Sequence, residues 1–203
     1  MANADIVRGA FPVGQLDGSP FNGKVNMYLV PSGDGTAVFI GDFVKRGGSA
    51  GAAGTVVNGQ DVEGMPTVIQ AAAGDTLIVG GVVGFLPLQT NLETRYRVAA
   101  TNRIALVADD PNTIFEIQED SVGAALTADE VGENADITVA AGNTTTGLSG
   151  MELDSSDHKT ATAQLRILGL AKRPDNALGT TAAPWAKWNV VINEHAYKTT
   201  TGV

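Results

Sequence analysis

At 203 residues and 43% hydrophobic composition, the chain is long enough for one substantial core and too short for two large domains. Thirteen basic against 22 acidic residues give a formal charge of -9, a mean field that repels nucleic acid and anionic membranes, so neither is expected as a direct partner. The absence of cysteine excludes disulfides, thiolate metal sites and cysteine nucleophiles together, and 25 glycines without a G-X-Y period mark turns between short strands.

Residues 1–23 carry Gly9, Pro12, Gly14, the run Asp17-Gly18-Ser19-Pro20 and the pair Asn22-Gly23, a turn density that leaves little room for a regular element. They read as an extended N-terminal arm. Its apolar members, Ile6, Val7, Phe11, Val13 and Phe21, either fold back onto the body or meet a partner. The chain begins without a basic segment followed by an apolar one, so no signal peptide is expected and synthesis in a cytoplasm is.

A single β-rich body is expected over 24–193. Val25, Met27 and Leu29 alternate with Asn26 and Tyr28 as one strand, and 36–44 lie within hairpin distance, predicting an antiparallel pair. The small, polar stretch near 45–64 reads as a flexible loop. Residues 71–88 are nearly free of charge yet broken by Gly74, Gly80, Gly81 and Gly84. Their uninterrupted apolar part, Leu77 to Leu86, is about half of the roughly 20 residues that a membrane helix requires. Gly80, Gly81 and Gly84 also lack the G-x-G-x-x-G spacing of a dinucleotide loop and lead into Pro87 instead of a helix. What remains is a core strand built on Ile78, Val79, Val82 and Val83, with glycines at a bulge or a close backbone approach.

Further strands are predicted at 95–99, 103–108, 113–119, 135–141, 164–171 and 186–193. Thr127 followed three residues later by Glu130, with Gly132 beyond, predicts one short helix opened by a capping box. Residues 194–203 read as a C-terminal tail. The fold class is therefore mainly β, an antiparallel sandwich or barrel-like body with a short helix and extended terminal arms.

Catalytic chemistry finds little support. His158 and His195 have no metal-ligand spacing, and Ser149 lacks the G-x-S-x-G elbow that a hydrolase would use; Ser121 is the other candidate nucleophile. Asp109-Asp110 and the group Glu116, Glu119 and Asp120 suit either calcium or a solvated acidic edge. Trp185 and Trp188, three apart, point to opposite faces if the segment is a strand, so at most one is core and the other is free for a partner. No enzyme activity and no cofactor are expected.

The succession "LDGSPFNGKVNMYLVPSGDGTAVFIGDFV", "MPTVIQAAAGDTLIVGGVVGFLP", "RVAATNRIALVADDPNTIFEIQEDS" and "WNVVINEHAYKTTTGV" resembles the decoration, or cement, proteins of tailed-bacteriophage heads. The resemblance implies a β-rich structural protein on the outer surface of the virion head, stabilising the mature shell. It also implies a homo-oligomer, trimer or dimer, with the major capsid protein as partner. Phe11, Phe21, Trp185 and Trp188 are then candidates for capsid or intersubunit contact, as apolar residues in segments with poor local means of burial. The competing expectation is a carbohydrate-binding β-sandwich module with Trp185 or Trp188 as stacking platform and the acidic group holding calcium.

Overall fold

The computed structural model describes residues 3–180 and 183–199. Its strands are β1 (Phe11–Gln15), β2 (Asn26–Val30), β3 (Phe43–Ala50), β4 (Val56–Val57), β5 (Gln60–Asp61), β6 (Pro66–Gln70), β7 (Ile78–Phe85), β8 (Arg103–Ala108), β9 (Thr113–Gln118), β10 (Asn134–Ala135), β11 (Ile137–Thr138), β12 (Glu152–Leu153), β13 (Leu165–Leu170) and β14 (Lys187–Ile192). No helix occurs among the described residues.

Two units share the load. Strands β2-β6-β3-β7-β8 close into a barrel in which β2–β6 is the parallel pair, and β1-β9-β14-β13-β10 form an antiparallel sheet. β7 serves both because a bulge against β3 breaks its alternation: Val79 and Val82, three apart, both fill the barrel with Tyr28, Val30, Val44, Val68 and Val107, while Ile78 faces the sheet. There Phe43 of the barrel meets Phe115 of the sheet edge to face, ring centroids 5.2 Å apart, among Ile117, Leu165, Ile167, Trp188, Val190 and Ile192. The nearly charge-free stretch 71–88 is thus apolar because the first part of its strand, Ile78–Val82, is buried on both faces.

Several expectations are corrected. The first strand does not pair with the next segment; β2 lies between β6 and β8, and Met27, expected inside, is 46% exposed while Tyr28 is buried. Residues 95–99 form only a bridge, Val38 to Arg97. Within 45–64, β3 runs to Ala50, and β4 and β5 turn through Asn58 and Gly59 at φ 53° and 81°, the conformation that a two-residue hairpin demands. Val57 and Val62 of this ribbon then cover Leu29 and Ile104.

The predicted helix is a turn. Half of a capping box forms: the Thr127 backbone N–H donates to Glu130 at 2.6 Å, while the Thr127 hydroxyl donates to the same carboxylate and accepts from Asp129 N–H at 3.2 Å, where the box would have Glu130 N–H. Gly132 N–H, however, donates to Ile167 of β13, so the sheet claims the chain before a costly helical nucleus can propagate.

Neither terminal segment stands away from the body where it is described. The Asn3 side chain donates to the Ala177 and Pro184 carbonyls, Gly9 crosses Gly41 at backbone contact, and β1 pairs with β9. At the other end Ala196 N–H donates to Ile78, and Ala196 enters the barrel core.

Candidate interaction face

The five-stranded sheet packs Phe115, Ile117, Trp188 and Val190 inward, which leaves Ile114, Glu116, Asn189 and Lys187 on its other side. A β-bulge between Ile167 and Gly169 opens the β13–β14 pair on this face. Beside it lies a groove of about 430 Å³ lined by Ile114, Val131, Leu168, Leu170, Lys172 and Leu178, among others. Val131 and Leu178 are 46% and 44% exposed, so the groove is an apolar surface open to solvent.

Charged side chains share this face. Arg8 and Arg173 both bond Glu116, the latter at 2.7 Å, and Arg173 continues to Asp175 at 3.0 Å. Burial and the nearby Arg173 hold the Lys187 ammonium below the usual lysine range, offset in part by Asp175 and Glu116. Arg8, Arg173 and Lys187 gather around Glu116 and Asp175 on this face, Lys172 stands in the groove wall, and Asp129 and Glu130 lie between the lining residues Ala128 and Val131. Those around Glu116 come from the N-terminal segment, two strands and a late loop, and no sequence spacing announces them.

The four residues singled out in the sequence are not brought together. Phe11 stands opposite Glu116 at the sheet edge, half-buried, with the Arg8 guanidinium 4.9 Å from its ring centroid. Phe21 packs against the core shared by sheet and barrel. Trp188 is fully buried and its Nε1 donates to Glu119 at 3.0 Å, so it offers no stacking platform. Trp185 is partly buried at a φ of 31°.

The residues of the alternative chemistries also separate. Ser149 donates to Asp42, itself buried and bonded by Phe39 N–H and Gln70, while His158 bonds Glu133 at 2.8 Å. Glu119 accepts from Trp188, Leu126 and Ala186, and Asp120 from Ser155, Val122 and Thr138. Among the described residues no group of three His, Asp or Glu side chains is placed to hold a metal ion.

Two buried titratable groups make stability depend on pH in opposite senses. Burial, with Lys198 adding, lowers His195 to about 4 against the restoring pull of Asp109 and Asp110. The unfolded chain takes this proton below about pH 6.5, so this contribution, up to ~3 kcal/mol, is lost as pH falls from about 6.5 to 4. Burial raises Glu152 to about 7, with Asp5 and Asp120 adding and Gln118 opposing. Its contribution runs the other way and is lost as pH rises from about 4.5 to 7, by ~1–2 kcal/mol after discounting for partial exposure. Urea midpoints measured across this range should show Glu152→Gln stabilising the protein above pH 7, and His195→Asn flattening the acid-side loss. Parallel pH profiles for His195→Asn and the parent would show that His195 does not govern it.

No helix among the described residues is long and apolar enough to cross a membrane. Compared with models of known protein families, with curated proteins and with solved structures, the chain matches none.

Proposed function

We propose that this chain is a decoration subunit of a tailed-phage head, a structural protein that binds the outer surface of the mature shell as a homo-oligomer and seats its outer sheet face on the major capsid protein. The observation that carries this reading is the solvent-open apolar groove on the outer sheet face, with Lys172 the cation in its wall. Such a groove fits an apolar segment with one carboxylate to meet Lys172, and Phe11 extends the surface toward the sheet edge. The segment resemblance points the same way. Many copies on one lattice turn modest contacts into stable attachment, and binding only the expanded lattice stabilises it by linkage.

Purified protein, mixed with expanded undecorated shells and separately with unexpanded precursors, should co-sediment saturably with the expanded shells alone. Lys172→Glu combined with Leu178→Glu, both exposed positions, should weaken that binding by roughly tenfold or more while leaving the fold intact. No binding by the parent protein to its cognate expanded shells would overturn the proposal, and undiminished binding by the double variant would remove the groove from it.

A further inference from the structure

A second cavity, about 770 Å³, shares no lining residue with the groove and is built on other chemistry. Lys24, Asn26, Met27, Tyr28, Asp109 and Tyr197 are among its walls. Strand pairing sets Asn26 opposite Val107, which brings its amide to Asp109 just beyond the end of β8; Nδ2 lies 3.0 Å from each carboxylate oxygen. The Tyr28 hydroxyl donates to Asp109 Oδ2 at 2.6 Å. Having spent its one proton there, it accepts from the Tyr197 hydroxyl, also at 2.6 Å. Tyr28 is buried, and burial followed by these two bonds pushes its phenol far above the ordinary range, so the donor to Asp109 is permanent.

We propose that this cavity binds a saccharide unit, with the Asn26–Asp109 pair on adjacent ring hydroxyls and the Tyr197 ring against the C–H face of the sugar. Asn26 Oδ1 accepts no hydrogen bond among the described residues, its amide has a second proton to give, and Asp109 Oδ1 keeps an unused lone pair. Acceptor, donor and acceptor therefore stand in a row, which suits vicinal hydroxyls that each donate and accept. Tyr28 fixes Asp109 before any ligand arrives, which lowers the ordering cost of binding. Tyr197 is 49% exposed and supplies the apolar wall, continued by exposed Met27.

Other ligand classes fit less well. Asp109 and Asp110 against the single ammonium of Lys24 oppose a phosphate or carboxylate, and a purely apolar ligand would strip water from the polar floor without replacing its bonds. The inference is independent of shell binding. It also moves the sugar platform from the tryptophans to a tyrosine in the tail, next to Ala196 of the barrel core.

The test is an NMR titration of the full chain with methyl glycosides of glucose, galactose, mannose and N-acetylglucosamine at millimolar concentration. At least one should give saturable amide shifts at residues 26–28, 109–110 and 197. Asn26→Ala and Tyr197→Ala, both at exposed positions, should each weaken that binding by roughly tenfold, and Tyr197→Phe, which keeps the ring, should retain most of it. Both alanine variants should co-sediment with expanded shells like the parent, so failure of one reading leaves the other standing. Absence of saturable shifts with every glycoside, shifts elsewhere on the surface, or affinity unmoved by the two alanine variants would overturn the proposal.

Discussion

Replacing Arg97 by methionine is expected to cost about 3–5 kcal/mol of stability, read as a lowered urea midpoint with an unchanged slope. Arg97 is 0% exposed and acts as the hub of two loops. Its Nε donates to the Thr101 carbonyl at 2.8 Å, and its two terminal nitrogens reach the carbonyls of Thr36, Pro31 and Asp34, the last at 2.8 Å. The Asp34 carboxylate, at 3.7 Å, adds a weaker attraction that partly offsets the burial lowering the guanidinium pKa. Methionine fills the space but removes a donor from all four carbonyls: those of Pro31 and Asp34 keep the Asp34 and Ala100 N–H groups, at 3.1 and 3.0 Å, whereas those of Thr36 and Thr101 lose theirs, each loss worth roughly 1–3 kcal/mol before relaxation. Lysine keeps the charge and should rescue little, because one ammonium cannot span the fork that bonds loops on both sides. Arg95→Met, at an exposed position two residues earlier, should change stability by no more than about 0.5 kcal/mol. A loss below about 1 kcal/mol for Arg97→Met would mean that water replaces the guanidinium and that the loops hold themselves.

What was legible in the sequence, and what was not, follows from the range of the forces involved. Strands β8, β9, β13 and β14 lie where β-branched runs between turn residues put them, because their backbone pairing and burial follow a local period of two. The expected hairpin between β2 and residues 36–44 does not form, because nearness in sequence does not decide pairing in a closed barrel. The barrel instead inserts β6 between β2 and β3, and the Asp42 carboxylate ties Phe39, Gln70 and Ser149 into a compact corner where a strand had been expected. Arg97 looked like an ordinary strand arginine, since nothing local marks a cation that will cap carbonyls 61 to 66 residues away. The ion-pair cluster on the outer sheet face is equally hidden. Arg8 and Arg173 meet over Glu116 only after β1, β9 and the loop after β13 are assembled. Of the four contact candidates, Trp188 illustrates the limit of pattern reading. The rule that residues three apart face opposite ways applies within a strand, but Trp185, at φ 31°, lies before β14, and no local pattern says that the Trp188 ring is satisfied by the buried carboxylate of Glu119.

The glycines of β7 offer the sharpest test of why that strand is written as it is. A Cβ at Gly80 would stand 2.1 Å from the Ala108 carbonyl oxygen and 2.9 Å from Val107 Cγ1. Backbone, unlike the end of a long side chain, cannot step aside. β7 also pairs on its other edge with β3, where Gly80 faces Val44, and the barrel is closed, so moving away from β8 disturbs the second ladder. Gly80→Ala should therefore cost about 3 kcal/mol or more and loosen the β7–β8 seam, visible as faster amide exchange at residues 103–108. At Gly81 the obstacle is the Phe115 ring, whose Cε1 would lie 2.7 Å away. That ring can tilt at the expense of its contact with Phe43, so Gly81→Ala should cost less, about 1–3 kcal/mol. Gly84 has open space where a Cβ would go and an ordinary φ, so Gly84→Ala should be neutral within about 0.5 kcal/mol, or slightly stabilising through the unfolded chain. Equal losses at all three positions would point to backbone freedom as the common cause. The ordering Gly80, Gly81, Gly84 would instead tie the glycine-rich run to two close approaches, one that closes the barrel and one that lets the sheet pack against it.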